Sequence, residues 1–217
     1  MRALIPAVMA LCLCLGASLA LAKSDPGDQQ SGLDFFNMGM SQADAKKMGA
    51  KAAEKDTMSA SFKWEGAQWN ALISFKKDEA VLVGMTTKDL RNTLVFAFLN
   101  EMEQRTYVPL AIVRNDGTKE TEIFLPKEAL EGKDASALSD IMTKELNDYA
   151  SQEKGTIIIM FCGQDDFNTV IEGKKNGKDD DAAMSAIAED IIYTMQMDKA
   201  DDVLGIVYAS LNTLLAQ

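Results

Sequence analysis

Residues 155–167 read GTIIIMFCGQDDF. The run from Thr156 to Cys162 is almost uniformly apolar and rich in β-branched residues, which fits a central strand buried on both faces of a sheet. A glycine and two aspartates close the run. Phe167, Val170 and Ile171 then supply the apolar positions of a short helix, which Asp165 and Asp166 are expected to cap. Cys162 sits between Met160-Phe161 and the two aspartates. Apolar burial and negative charge both disfavour a thiolate, whereas a nucleophilic cysteine needs a cation or a helix N-terminus to lower its pKa. Cys162 is therefore expected to be a packing residue.

Upstream of this strand the pattern alternates with period two. Met58, Ala60, Phe62 and Trp64 share one face; Trp69, Ala71, Ile73 and Phe75 do so after the turn Glu65-Gly66; and AVLVGM at 80–85 follows the turn KKDE. This predicts a three-stranded antiparallel meander with an aromatic inner face. Ser41 is a good N-cap for a helix through QADAKKMGAKAAE. A second helix is expected from near Thr87, with Leu90, Leu94, Ala97, Phe98 and Met102 on one side. The segments YVPLAIVR and TKETEIFL, joined by Asn115-Asp116-Gly117, read as a hairpin. Pro109 places its strand at an edge or a bulge. Residues 136–151 are predicted helical.

Downstream, after GKKNGKDDD, two closing helices are expected. One carries Met184, Ile187, Ala188, Ile191 and Met195, and the other Leu204, Val207, Tyr208, Leu211 and Leu215. Meander, hairpin, isolated strand and separate helices together indicate an α+β fold: an antiparallel meander and hairpin with a buried central strand, packed by several amphipathic helices.

The N-terminus reads as a targeting segment. Arg2 supplies a positive start, residues 3–21 are almost entirely apolar, and Ala20-Leu21-Ala22 presents a small-x-small cleavage pattern. The expected organisation is a signal peptide at 1–22, a flexible Pro/Gly/Gln/Ser-rich leader at 23–33 and an α+β globular region at 34–217, with a sub-boundary near 87. A retained membrane anchor fits the flanks poorly, and no later stretch approaches the roughly 18 apolar residues of a membrane span. The product is expected to be periplasmic or secreted. Cleavage removes Arg2 and no acid, taking the formal charge from −11 to −12. An acidic chain repels nucleic acid and anionic lipid, so charged partners are expected to be basic envelope or secreted proteins. Cleavage also removes Cys12 and Cys14, leaving Cys162 without an intramolecular partner.

There is no histidine. Ser-His-Asp and Cys-His mechanisms, histidine-ligated zinc and imidazole proton shuttling are excluded within this chain. Paired carboxylates remain, with Asp165 and Asp166 as the candidate ligand-binding or catalytic residues beyond a central strand. Glycoside chemistry would need two such groups about 5 to 9 Å apart across a sugar-sized cleft. Asp179-Asp180-Asp181 lacks the alternate spacing of a calcium loop and reads as an N-cap with first-turn charges. Met38-Gly39-Met40 and Met195-Gln196-Met197 would bind Cu(I) only by converging, and core packing is the expectation. No Walker loop, dinucleotide fingerprint or CxxC occurs, so no cofactor is indicated.

The stretch FFNMGMSQADAKKMG, in which Gly39-Met40-Ser41 opens a short helix ahead of a meander, resembles the GMS/GMT helix start of small exported domains. Such domains occur in outer-membrane-assembly lipoproteins and in the β-lactamase-inhibitor-like fold. The resemblance covers about residues 35–87, and the lipidated cysteine of membrane-anchored members has no counterpart. It implies a binding module and transfers no catalytic residue. The resulting expectation is an exported, non-enzymatic binding protein; the alternatives are a carboxylate-dependent enzyme or a small-ligand or metal-binding module.

Overall fold

The computed structural model describes residue 33, residues 35–124 and residues 136–215; the expected signal segment and nearly all of the leader lie outside the described residues. Ser41 caps α1 (Gln42–Lys47), its hydroxyl accepting the Asp44 N–H at 3.1 Å. The helix does not continue to Glu54 as its composition suggests. Gly49 adopts φ +91°, a left-handed conformation that ends helices, and the chain turns into β1 (Lys51–Glu54), a short edge strand exposed at every position. The meander follows as β2 (Thr57–Trp64), β3 (Ala67–Lys76) and β4 (Glu79–Thr87). Burial alternates strictly along β2 and β3, with Phe62 opposite Trp69 and Ala60 opposite Ala71. The expected inner face is therefore the observed one.

Phe35 and Phe36 close over that face. The Phe35 ring stacks on Phe62 at 5.0 Å, and Trp64 packs against Trp69 at 5.3 Å. Such aromatic pairs contribute about 0.5–1.5 kcal/mol each beyond their burial. The Trp69 indole N–H donates to the Trp64 carbonyl at 3.3 Å, so the buried ring leaves no unpaired donor.

Because β4 continues to Thr87, α2 starts later than expected, at Asn92–Gln104. It buries Leu94, Val95, Phe98 and Met102. β5 (Tyr107–Asn115) and β6 (Glu120–Phe124) form the hairpin. A bulge lies between Pro109 and Ala111 where β5 meets β7, and among the described residues the β5–β6 pairing starts at Ala111. After α3 (Ser136–Ser151) comes β7 (Thr156–Gly163), buried throughout its interior. Then follow α4 (Gln164–Lys175), α5 (Asp180–Met184) and a 3₁₀ turn at Ser185–Ile187.

The two closing helices are not formed. Residues Ile191–Asp198 and Val203–Ser210 are instead strands β8 and β9, an antiparallel hairpin, and only the brief α6 (Leu211–Leu215) follows. The reason is burial on both faces: every interior position of β8 and β9 is covered. A run that is apolar on both sides satisfies a 3.6-residue spacing as readily as a two-residue one, and its Ile, Val, Tyr and Thr content favours the strand. Asp198 shapes the turn by accepting the Ala200 N–H at 2.8 Å.

The nine strands of the described residues belong to one antiparallel sheet, ordered β1-β2-β3-β4-β9-β8-β7-β5-β6. The α+β reading holds. The last strand thus lies between the meander and the second half, with Met85 opposite Ile206 and Ile206 opposite Met195. One face of the sheet carries the aromatic core, α2 and much of α3; the other packs α4, α5, the 3₁₀ turn and α6 around Ile158, Met160, Cys162 and Val207. Ile206→Ala is expected to cost about 2–5 kcal/mol through the cavity it leaves. The loss should appear equally in tryptophan fluorescence, which reports the meander, and in far-ultraviolet circular dichroism. A fluorescence transition left unmoved would mean that the two halves unfold independently.

Candidate functional site

Asp165 and Asp166 lie in the first turn of α4, but neither is its N-cap, because Gly163 occupies that position. Asp165 is exposed and points to no partner among the described hydrogen bonds and ion pairs. Asp166 is half-buried and reaches back to accept the Gly163 N–H, the reciprocal half of a capping box. The structure thus corrects the capping role to one residue acting from the third helical position.

Asp166 also meets a carboxyl the sequence does not place beside it. Asp190, one residue before β8, shares a hydrogen bond with the Asp166 side chain. β7 and β8 are adjacent, with Phe161 opposite Tyr193, so the residues beyond their ends converge. Partial burial first, and the negative charge of Asp190 second, raise the Asp166 pKa above the ordinary carboxylate value. A neighbouring negative charge and burial both disfavour the ionised form of a carboxyl. Tyr107 borders the same place, its ring edge-on to Tyr193 at 5.0 Å; burial, then Tyr193 and Asp166, push its hydroxyl up to about 12. Cys162, on the opposite face of β7 from Phe161, is fully buried, and burial followed by the Asp166 charge raises its thiol pKa strongly. Burial raises the pKa of the Tyr107 hydroxyl and the Cys162 thiol, so neither is an activated nucleophile.

The other sequence candidates resolve as structural. Asp179 caps α5, accepting the Ala182 N–H at 2.7 Å, and Asp180 pairs with Lys174 at 2.6 Å. Met195 and Met197 point into the aromatic-side core from one face of β8. Among the described residues no three His, Cys, Asp or Glu side chains cluster to hold a metal ion, and no helix is long and apolar enough to cross a membrane.

A groove of about 570 Å³ lies elsewhere, between α2 and α3. Val95, Phe96 and Leu99 line it from α2, Met142 and Leu146 from α3, and Met197 of β8 forms part of its floor. Its volume falls in the range of ligand sites generally. The helices are held by what lies beneath them. Phe98 of α2 packs edge-on against Phe161 of β7 at 5.5 Å, and Arg114 of β5 grips the buried Glu145 of α3 at 2.7 Å. At one end Lys199 donates to the carbonyls of Tyr149, Ala150 and Gln152, completing the C-terminus of α3. The same ammonium sits 4.8 Å from the Tyr149 ring centroid.

Two features distinguish the groove. Phe96 is 63% exposed, the one large apolar side chain so exposed among the described residues. Tyr149 lines the groove at 4% exposure, and its hydroxyl has no hydrogen-bond partner among the described residues. A second hollow of about 420 Å³ flanks the other side of Phe96, between α2 and the Trp64-Glu65 end of β2. Sequence reading passed over this site. The apolar spacing of α2 identifies its buried stripe but not Phe96, which lies off that stripe, and nothing in the sequence states that α3 runs beside α2.

The Asp166 carboxyl binds its proton more tightly folded than unfolded, so its contribution to stability falls as pH rises from the ordinary value of about 3.9 through its raised folded value. Asp166→Asn keeps an acceptor for Gly163 and removes the repulsion. It is expected to raise the melting temperature at pH 7 and to leave it unchanged near pH 3; an equal change at both would refute the raised Asp166 pKa. Cys162 should react with a thiol-specific disulfide reagent only after denaturation, and rapid native reaction would contradict its burial.

The chain matches no protein-family model, no curated protein and no solved structure, and its function therefore has to be argued from its own geometry.

Proposed function

We propose that this chain is an exported, non-enzymatic binding protein of the cell envelope, with the α2–α3 groove as its recognition site. The observation that carries this reading is the exposed Phe96 on the rim of an apolar groove. An exposed aromatic beside a preformed apolar hollow is the arrangement that binding hot spots use, since contact with a partner removes that area from water. Fully covering such a side chain stabilises a complex by about 1.5–3 kcal/mol. The missing histidine, the protonated thiol and the absence of Asp165 and Asp166 from either hollow support recognition over chemistry. The signal-like residues 1–22 support export, and the acidic charge supports a basic partner, since opposite charges accelerate encounter.

Expressed with its N-terminus intact, the chain should be recovered from the envelope fraction with an intact mass beginning at Lys23. That product should bind the neutral apolar dye N-phenyl-1-naphthylamine, with fluorescence enhancement reduced at least fivefold by Leu146→Glu in a variant whose circular dichroism is unchanged. Equal enhancement in both proteins would remove the groove from consideration, and an uncleaved product retained in the cytoplasm would remove export.

A further inference from the structure

We propose that the occupant of the groove is a helical segment of a partner protein, apolar along one stripe and carrying lysine or arginine beside it, laid across Phe96 so that both flanking hollows are filled. This inference rests on the groove being the recognition site and adds the class of its ligand.

Three observations lead to it. The first is shape. Phe96 lines both hollows, one of about 570 Å³ toward α3 and one of about 420 Å³ toward Trp64, so it forms a ridge between two depressions. A compact ligand would fill one of them. Side chains spaced three or four residues apart on a helix project as successive knobs and can enter both.

The second is the backbone. Apart from Trp64 and Glu65 at the end of β2 and Met197 within β8, the residues lining the two hollows come from helices and loops. Trp64 already pairs with Ala67 of β3, and Met197 pairs on both sides, with Ile157 and Leu204. Toward α3, therefore, no free strand edge is offered among the described residues, whereas Trp64 pairs on one side only, since β1 joins β2 at Thr57–Ser59. A segment lying over the α2–α3 hollow finds no ladder there and must satisfy its own N–H and C=O groups, as a helix does.

The third is charge. The two hollows together are lined by four carboxylates, Glu65, Glu101, Glu153 and Asp202, and by one cation, Lys199. Lys199 is already committed to the three carbonyls at the end of α3, and Glu101 pairs with Arg105 at 3.2 Å. Glu65, Glu153 and Asp202 are exposed and have no ion pair among the described residues. A ligand with apolar side chains over Phe96 therefore meets uncompensated negative charge at both ends, which favours basic residues flanking its apolar stripe and disfavours acidic ones.

The test uses three dye-labelled designed helical peptides of equal length and identical leucine stripe, with lysine, glutamine or glutamate at the remaining positions. Fluorescence anisotropy is read against the full exported chain. The leucine-lysine peptide is expected to bind at least tenfold more tightly than the leucine-glutamine peptide, with the leucine-glutamate peptide weakest. Phe96→Ala should weaken the leucine-lysine peptide at least tenfold. The triple variant Glu65→Gln, Glu153→Gln, Asp202→Asn should bring it to the level of the glutamine peptide. Glu120→Gln with Glu122→Gln, on the exposed edge strand β6, should leave it unchanged. Equal weakening by the β6 variant would mean non-specific attraction to an acidic surface and would overturn the inference. Equal binding of all three peptides, abolished by Phe96→Ala, would overturn the charge preference and leave the groove reading intact. Failure of every peptide while N-phenyl-1-naphthylamine still binds would make the groove a small-molecule site. Failure of peptides and dye alike would remove both readings.

Discussion

The pairing of β4 with β9 is the constraint on which the rest of the structure depends. Leu82 to Thr87 lie opposite Ala209 to Leu204, joining a strand from the first half of the chain to the last one formed. Without it the meander would be a four-stranded unit ending in an open edge, and β5 to β9 would form a second. With it the sheet is continuous from β1 to β6, and the apolar residues of β4, β9 and β8 gain neighbours on both sides and both faces. Contacts so distant in sequence carry a large loop-closure cost, which the burial of Met85, Ile206 and Met195 at this seam offsets. Tyr208 adds a further tie: its hydroxyl donates to the Phe36 carbonyl, so the same strand that joins the sheet also fastens the aromatic segment over the meander.

The groove is a by-product of this architecture as much as of its own residues. α2 follows β4 and α3 precedes β7, so the two helices reach the same face from different halves of the chain. Each is fixed to the sheet through a different contact, Phe98 on Phe161 for α2 and Glu145 to Arg114 for α3. A buried ion pair is weak evidence of stability, but breaking one partner leaves an uncompensated charge, so it fixes where α3 lies. The backbone between α3 and β7 is equally constrained. Gly155 adopts φ +138°, and a Cβ there would stand 2.6 Å from the Asn115 carbonyl oxygen, a position only glycine can occupy. The groove is thus preformed, which lowers the ordering cost that a ligand would otherwise meet.

The carboxyl pair at the other end of β7 and β8 shows how a feature that looks catalytic in sequence can be a consequence of topology. Asp166 satisfies a helix N-terminus, and Asp190 arrives beside it because β8 pairs with β7. The raised Asp166 pKa is a feature of folding linkage. The buried Cys162 nearby is held in its neutral form by the same desolvation and the same negative charge.

Where one face of an element is wet and the other dry, the sequence alone determined the structure. The alternation of Phe62, Trp64, Trp69 and Ile73 fixed the meander, the helical spacing over 136–151 fixed α3, and Ser41 fixed the start of α1, each through a local period or a local cap. The missing histidine likewise excluded whole classes of chemistry before any fold was known. Tertiary structure decided the elements whose periodicity is erased by burial on both sides, β8 and β9 above all, because a strand and a helix that are apolar all round carry the same pattern. It also decided every juxtaposition between distant segments: Asp190 beside Asp166, α3 beside α2, and Phe96 left uncovered between two hollows. Local patterns record which side of an element meets water, and nothing in them records which other element supplies the cover.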